Sequence, residues 1–167
     1  MKNKSGFTLI ELILYIGIVT IFISAAVLFS WDIIYGRVKS STQREVNQSI
    51  RLISKRITYE IRNSNGINSL TPSSISLSNS DAARNPTVIS LTGDKVYIGW
   101  GSAGSCPSNT PCVLTGNGVI VTKLLFTNFS SGSSTNIGFD LAIESSAERK
   151  EFQYAQSFKS TVELRSN

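Results

Sequence analysis

The chain has 167 residues, 16% of them charged, and a formal net charge of +5 from 16 Lys or Arg and 11 Asp or Glu residues. It contains no histidine, so the commonest general base and metal ligand is missing. Its cations are scattered and form no block of the kind that binds nucleic acid. We therefore expect no enzyme activity, no catalytic residues, no metal site, no cofactor and no nucleic-acid partner.

The first predicted element is an apolar run of 25 residues, Phe7 to Trp31, with one charge at Glu11 and no proline. As an α-helix the run would be about 37 Å long, enough to cross a bilayer. The six residues before it are basic and contain no acid. Because positive charge stays in the cytoplasm, the N-terminus is predicted inside and everything after Trp31 outside, as in a single-pass membrane protein.

Glu11 is the unusual residue of this run. A carboxylate at the centre of a membrane helix costs roughly 2.5 to 3.5 kcal/mol on insertion scales. One interpretation is that Glu11 lies near the inner surface of the membrane and extends its carboxylate to water. The other interpretation, a role in assembly, comes from the residues around it.

Residues 6–12, Gly-Phe-Thr-Leu-Ile-Glu-Leu, closely resemble the N-terminal motif of type IV pilins and type II secretion pseudopilins. The resemblance implies that a prepilin peptidase cuts between Gly6 and Phe7 and that the new N-terminal Phe7 is methylated. It also implies that Glu11 assists subunit docking. In a filament, the carboxylate of Glu11 and the Phe7 ammonium of a neighbouring subunit would neutralise one another and set the axial register.

A secretory signal peptide is the other interpretation of residues 1–31. Residues 24–26, Ser-Ala-Ala, loosely resemble a signal-peptidase cleavage site. The position of Glu11 inside the apolar run and the length of that run both argue against this interpretation.

The helix is predicted to continue to about Asn63, for a total length of about 85 Å. No proline interrupts residues 32–62, and one face of the helix carries an apolar stripe at Val46, Ile50, Ile53, Ile57 and Ile61. The opposite face carries Arg44, Gln48, Arg51, Lys55 and Arg62. Residues 36–43 are rich in glycine, serine and threonine, so a bend or frayed turn is expected there. The dipeptide Asn65-Gly66 is predicted to end the helix.

Beyond Gly66 the apolar residues follow a period of two, which predicts antiparallel strands with one buried face. These strands are expected at 75–77, 88–91, 96–100, 112–115, 119–129, 137–143 and 152–164. Residues 92–95 are predicted to join two of them in a hairpin, and Gly-Asn-Gly at 116–118 to join another two. Segments 79–86 and 102–111 are expected to be irregular, and 130–134 to be a flexible loop.

Cys106 and Cys112 are the only cysteines. Zinc would need two further ligands, and a redox site of the thioredoxin type would need two residues between the cysteines rather than five. A disulfide that closes a small loop outside the cytoplasm is the preferred interpretation. Two free thiols remain the alternative.

These elements predict an α+β fold of the pilin type, with a long N-terminal helix on a C-terminal antiparallel β-sheet. The predicted parts are a cleaved cytoplasmic leader at 1–6, a transmembrane and assembly helix at 7–31, an amphipathic continuation at 32–65 and a sheet domain at 66–167. In the sheet, residues 119–126 and 158–165 resemble J-type minor pseudopilins and W-type minor pilins. Leu28 stands where many major pilins carry proline, and no acidic cluster resembles the calcium site of major pseudopilins.

The resemblance thus implies a structural subunit, a minor pilin or pseudopilin of a type IV pilus or a type II secretion system. Its implied partners are other such subunits, the prepilin peptidase, the inner-membrane assembly platform and the lipid bilayer. Its implied location is the membrane and then a filament at the cell surface or in the periplasm. The alternative is a membrane-anchored surface module for DNA uptake or adhesion, which an exposed aromatic or basic patch on a loop would favour.

Overall fold

The computed structural model describes residues 8–101, 104, 106, 112–131 and 134–165. One helix, α1, is followed by seven antiparallel strands, which confirms the predicted α+β class. The elements are α1 (Leu9–Arg62), β1 (Gly66–Thr71), β2 (Ser74–Ser78), β3 (Thr87–Thr92), β4 (Lys95–Trp100), β5 (Val119–Asn128), β6 (Asn136–Ser145) and β7 (Ala155–Glu163). Two 3₁₀ turns lie at Ala82–Arg84 and Lys150–Phe152.

Helix α1 continues without interruption through residues 36–43, so the prediction of a frayed turn there is wrong. Helix propagation is cooperative, and a few residues of modest propensity inside a long helix do not interrupt it. The chain divides into two compact units, Met1–Ser40 and Ser41–Asn167. The second unit holds the rest of α1 together with all seven strands.

The end of the helix differs from the prediction. Gly66 does not adopt a positive φ as a C-cap but is the first residue of β1. The Ser64 hydroxyl instead donates to the carbonyl of Ile61 at 2.7 Å, and the Ser64 amide donates to the same oxygen at 3.3 Å. These bonds satisfy one of the carbonyls that a helix end leaves without a partner.

The strands form two sheets, one in the order β1-β2-β3-β4 and one in the order β5-β6-β7. The predicted stripe of α1 is confirmed as core, since each of its residues is buried: Val46, Ile50, Ile53, Ile57 and Ile61. They belong to one apolar cluster with the inner faces of both sheets. At about 25 cal/mol for each Å² of apolar surface buried, this cluster is the main favourable term in the folding of the second unit.

The hairpin predicted around residues 92–95 is confirmed, with Thr92 opposite Lys95 and Gly93 at a φ of 63°. The hairpin predicted around 116–118 is wrong. Val113 pairs with Tyr97 of β4, and β5 pairs with β6. Segment 112–115 therefore extends the first sheet beyond β4.

Strand β7 is an edge strand, and its alternation is only partly realised. Val162 is buried, but Phe158 is 40% exposed, and Phe152 lies in a 3₁₀ turn rather than in the strand. The alternation in the sequence correctly predicts the side of the sheet on which Phe158 lies. On that side, the centroid of its ring is 5.9 Å from that of Phe139. The pattern does not show that other residues bury this side of the sheet only partly at its edge.

Candidate assembly site

The candidate assembly site is the surface of α1 from Leu9 to Trp31. Its large apolar side chains are exposed in the isolated chain, among them Leu9 at 77% and Phe22 at 70%. By length and composition, α1 is the one helix in the described residues able to cross a membrane; its apolar window has a mean hydropathy of 2.7 and no buried residue. An apolar surface of this size needs lipid or other helices around it.

The small hydroxyl groups of this segment already have partners within the helix. Thr20, Ser24 and Ser30 each donate to a backbone carbonyl three or four residues earlier, at 2.8 Å. Such bonds satisfy polar groups where no water is present. The segment thus suits an apolar medium despite its hydroxyls.

Glu11 lies in the first turn of α1, where it contacts Thr8. Its Oε2 accepts hydrogen bonds from the Thr8 hydroxyl at 3.3 Å and, more weakly, from the Thr8 amide at 3.5 Å. A carboxylate three residues after a threonine is half of a capping box, and negative charge here also favours the helix dipole. The sequence analysis missed this role, although the Thr-x-x-Glu spacing is a recognised signal for it.

Glu11 has no cationic partner among the residues that the structure describes, because each of the four ion pairs found there lies in the second unit. Glu11 is exposed despite its contacts with Thr8. Gly6 and Phe7, the predicted cleavage and methylation residues, lie outside the described residues, so the pairing of Glu11 with an ammonium at Phe7 stays a prediction.

Cys106 and Cys112 form a disulfide, with their Cα atoms 5.3 Å apart. The carbonyl of Cys112 accepts a hydrogen bond of 2.8 Å from the amide of Ile98 in β4. The disulfide is thus tied to the first sheet through Cys112. Residues 107–111, between the two cysteines, lie outside the described residues.

Glu60 is a fully buried acid on α1, and the sequence analysis did not select it. Arg84 donates from Nη2 to both carboxylate oxygens of Glu60 at 2.7 and 2.8 Å, and Arg56 reaches the same carboxylate at 2.9 Å. Both guanidinium groups also lie over the ring of Trp100, at 5.5 and 5.8 Å from its centroid. This cluster connects the helix to the first sheet and is structural, because its acid is buried and paired.

The model of the prokaryotic N-terminal methylation motif matches residues 1–27 of the chain. The match supports a type IV pilin-like family and indicates a prepilin-type precursor that a peptidase processes. It indicates structural subunits rather than enzymes, and it implies assembly with other pilin subunits and a membrane-anchored precursor. No curated protein and no solved structure is significantly similar to the chain.

Proposed function

We propose that the chain is a minor subunit of a type IV pilus or of a type II secretion pseudopilus. One observation carries the proposal: an unburied apolar helix surface with a single carboxylate in its first turn, inside a methylation motif. Such a surface is suited first to lipid and then to other helices of the same kind. The resemblance of residues 119–126 and 158–165 to J-type minor pseudopilins and W-type minor pilins supports the minor class.

In this proposal, residues 1–6 are a cytoplasmic leader that is removed, and Phe7 becomes the methylated N-terminus. Residues 7–31 hold the chain in the inner membrane and later join the filament core. Residues 32–65 and 66–167 lie outside the cytoplasm. The platform in the inner membrane moves the mature subunit into the filament, where Glu11 pairs with the Phe7 ammonium of a neighbour.

A surface module for DNA uptake or adhesion would use the same anchor without subunit contacts. Among the described loop residues, Phe129 is the large exposed aromatic, at 58%. Its ring occupies the space that a Cβ on Gly138 would need, so one part of the ring packs against β6. This contact favours the structural subunit over the display module.

Intact-mass analysis of the protein extracted from membranes tests the proposal. We expect loss of residues 1–6 and one added methyl group, and we expect the mature chain in sheared filaments at low copy number. The matched control is Gly6→Leu, which should remain full length. A mature protein that starts near Val27 would show ordinary secretion instead, and a processed protein absent from filaments would favour the display module.

A further inference from the structure

Within the second unit, α1 carries a cationic face, which we define as Arg44, Arg51, Leu52, Lys55, Tyr59 and Arg62. At 3.6 residues per turn these positions fall within an arc of about 100°, on the side of the helix opposite the buried isoleucines. All six residues are exposed. This face is therefore the part of the helix that neither sheet covers.

The cationic face has four positive charges and no acid. Its Lys and Arg residues form no ion pair among the residues that the structure describes. The two acids on the same stretch of helix lie elsewhere: Glu60 is buried and paired, and the carboxylate of Glu45 lies against Gly118. No ion pair within the described residues therefore neutralises the positive charge on this face.

The same face also exposes apolar surface. Leu52 is 50% and Tyr59 is 52% exposed, and Tyr59 forms part of two grooves, one on each side. The groove of about 610 Å³ is lined by Leu52 and Leu114. The groove of about 950 Å³ is lined by Phe158 and Leu164, with Lys55, Arg62 and Arg165 and one acid, Glu163, around it. Large exposed side chains beside grooves are characteristic of protein-docking surfaces.

We propose that the cationic face is the docking surface for a second, different subunit, whose matching surface carries carboxylates beside apolar side chains. This inference rests on the proposed function and names the kind of partner. The same face of another copy is excluded because four like charges would oppose four others. The exposed acids of this chain offer no matching cluster. Glu148 and Glu151 flank two cations, Glu163 already lies at the groove beside Lys55 and Arg62, and the others are well separated in the sequence: Glu11, Asp32, Glu45, Asp81 and Asp94.

Nucleic acid and anionic lipid fit the observations less well than protein does. Four cations provide few phosphate contacts, and neither ligand fills two apolar-lined grooves as side chains do. A protein partner would bury Leu52 and Tyr59 and neutralise the charges around them. Charge complementarity would then select the partner, because a subunit with a basic surface would be repelled.

Site-specific photo-crosslinking of the full chain in native cells tests this inference. A crosslinking residue replaces Leu52, and the matched control replaces Thr127, an exposed residue on the outer side of β5. We expect position 52, but not 127, to join a different protein with a prepilin-type N-terminus through peptides rich in Asp and Glu. Self-crosslinks, adducts to nucleic acid or lipid, or equal yields at both positions would overturn the inference.

A second experiment reverses two charges of the cationic face. Arg51→Glu with Lys55→Glu should lower the crosslink yield at position 52 by at least about tenfold, while Arg51→Lys with Lys55→Arg should leave it unchanged. If the reversal variant does not fold, the inference is tested instead by the salt dependence of the crosslink yield at position 52, measured in isolated membranes without the charge reversal. The yield should fall as ionic strength rises, and a constant yield would contradict the proposal.

The two proposals fail in different ways. Protein with the crosslinking residue at position 52 that is processed and enters filaments, but does not crosslink to another subunit, would overturn this inference alone. Protein that keeps residues 1–6 in the membrane would overturn the proposed function first. The intact mass, measured in the same samples, separates these outcomes.

Discussion

A single nitrogen of Arg84, Nη2, donates to both carboxylate oxygens of Glu60, although the two residues are 24 positions apart in the sequence. Glu60 is on α1 and Arg84 closes the 3₁₀ turn at Ala82–Arg84, so the pair fixes the connection between β2 and β3 to the helix. The side chain of Glu60 is only 1% exposed. Removing this carboxylate leaves two guanidinium groups, 37% and 31% exposed, without their common partner.

We expect Glu60→Gln to destabilise the protein by about 3 kcal/mol, because two guanidinium groups lose their common carboxylate. Thermal or urea unfolding of the full chain in detergent measures the change. The matched control is Glu163→Gln, at an exposed site with no ion pair among the described residues, which should change stability by less than about 0.5 kcal/mol. Equal effects of the two substitutions would show that the Glu60 cluster does not stabilise the fold.

Asp140 gives a pH-dependent prediction. The hydrogen bond from Lys123 lowers the pKa of Asp140 below its ordinary value of 3.8, with Lys159 helping and burial opposing. Because the pKa is lowered on folding, the stabilisation is present above the unfolded pKa and is lost as the pH falls through the folded one. Asp140→Asn should therefore destabilise the protein at neutral pH, and its difference from wild type should shrink well below pH 3.8.

Thermal unfolding of wild type and Asp140→Asn across the acid range measures this difference. The effect should also weaken at high salt, since Lys123 and Lys159 are exposed. In a Lys123→Met background, Asp140→Asn should show a weaker pH dependence. A difference that stays constant down to low pH would contradict the assigned role of Lys123.

For the disulfide, we expect Cys106→Ser with Cys112→Ser to lower the free energy of unfolding by about 2 kcal/mol, the chain-entropy value for so short a loop. Reduced wild type should unfold like the double variant. Alkylation without reductant should label neither cysteine in protein from native membranes. Full labelling of both would show that the thiols are free in the cell.

The features of the fold that could be predicted are those set by residues close together in the sequence. The spacing of Val46 to Ile61 alone specifies one helix face, and the alternation from Ile137 to Ile143 specifies one face of β6, since both periods follow from backbone geometry. The methylation motif was likewise readable, because residues 6–12 are contiguous. Glu11 was selected for its charge, but its contact with Thr8 was overlooked.

Pairing between distant segments was not predictable in the same way. Gly-Asn-Gly at 116–118 fits a tight turn, yet the hydroxyl of Thr115 accepts from the amide of Val96, and segment 112–115 follows β4 instead. The spacing of Arg56 and Glu60 on α1 indicates a local ion pair but not burial, because the second partner, Arg84, comes from another element. The incomplete cover over Phe158 likewise depends on β7 being an edge strand.

The central claim is that Glu11 acts between subunits, and Glu11→Gln tests it most directly. Glutamine keeps the size of the side chain and removes its charge, so folding, membrane insertion and cleavage after Gly6 should survive. The substitution leaves the Phe7 ammonium without its carboxylate among packed helices. Incorporation into the filament should then be less favourable by about 3 to 5 kcal/mol, as when one partner of a buried pair is removed. Thr8→Val is the control, because it removes the hydroxyl contact of Glu11 and keeps the charge.

The measurement is the amount of mature protein in membranes and in sheared filaments, side by side, for wild type and the two variants. We expect all three in membranes at equal levels. Glu11→Gln should be reduced at least about tenfold in filaments, while Thr8→Val should enter them like wild type. Equal incorporation of Glu11→Gln and wild type would contradict the docking role and leave Glu11 as a helix-capping residue at the membrane edge.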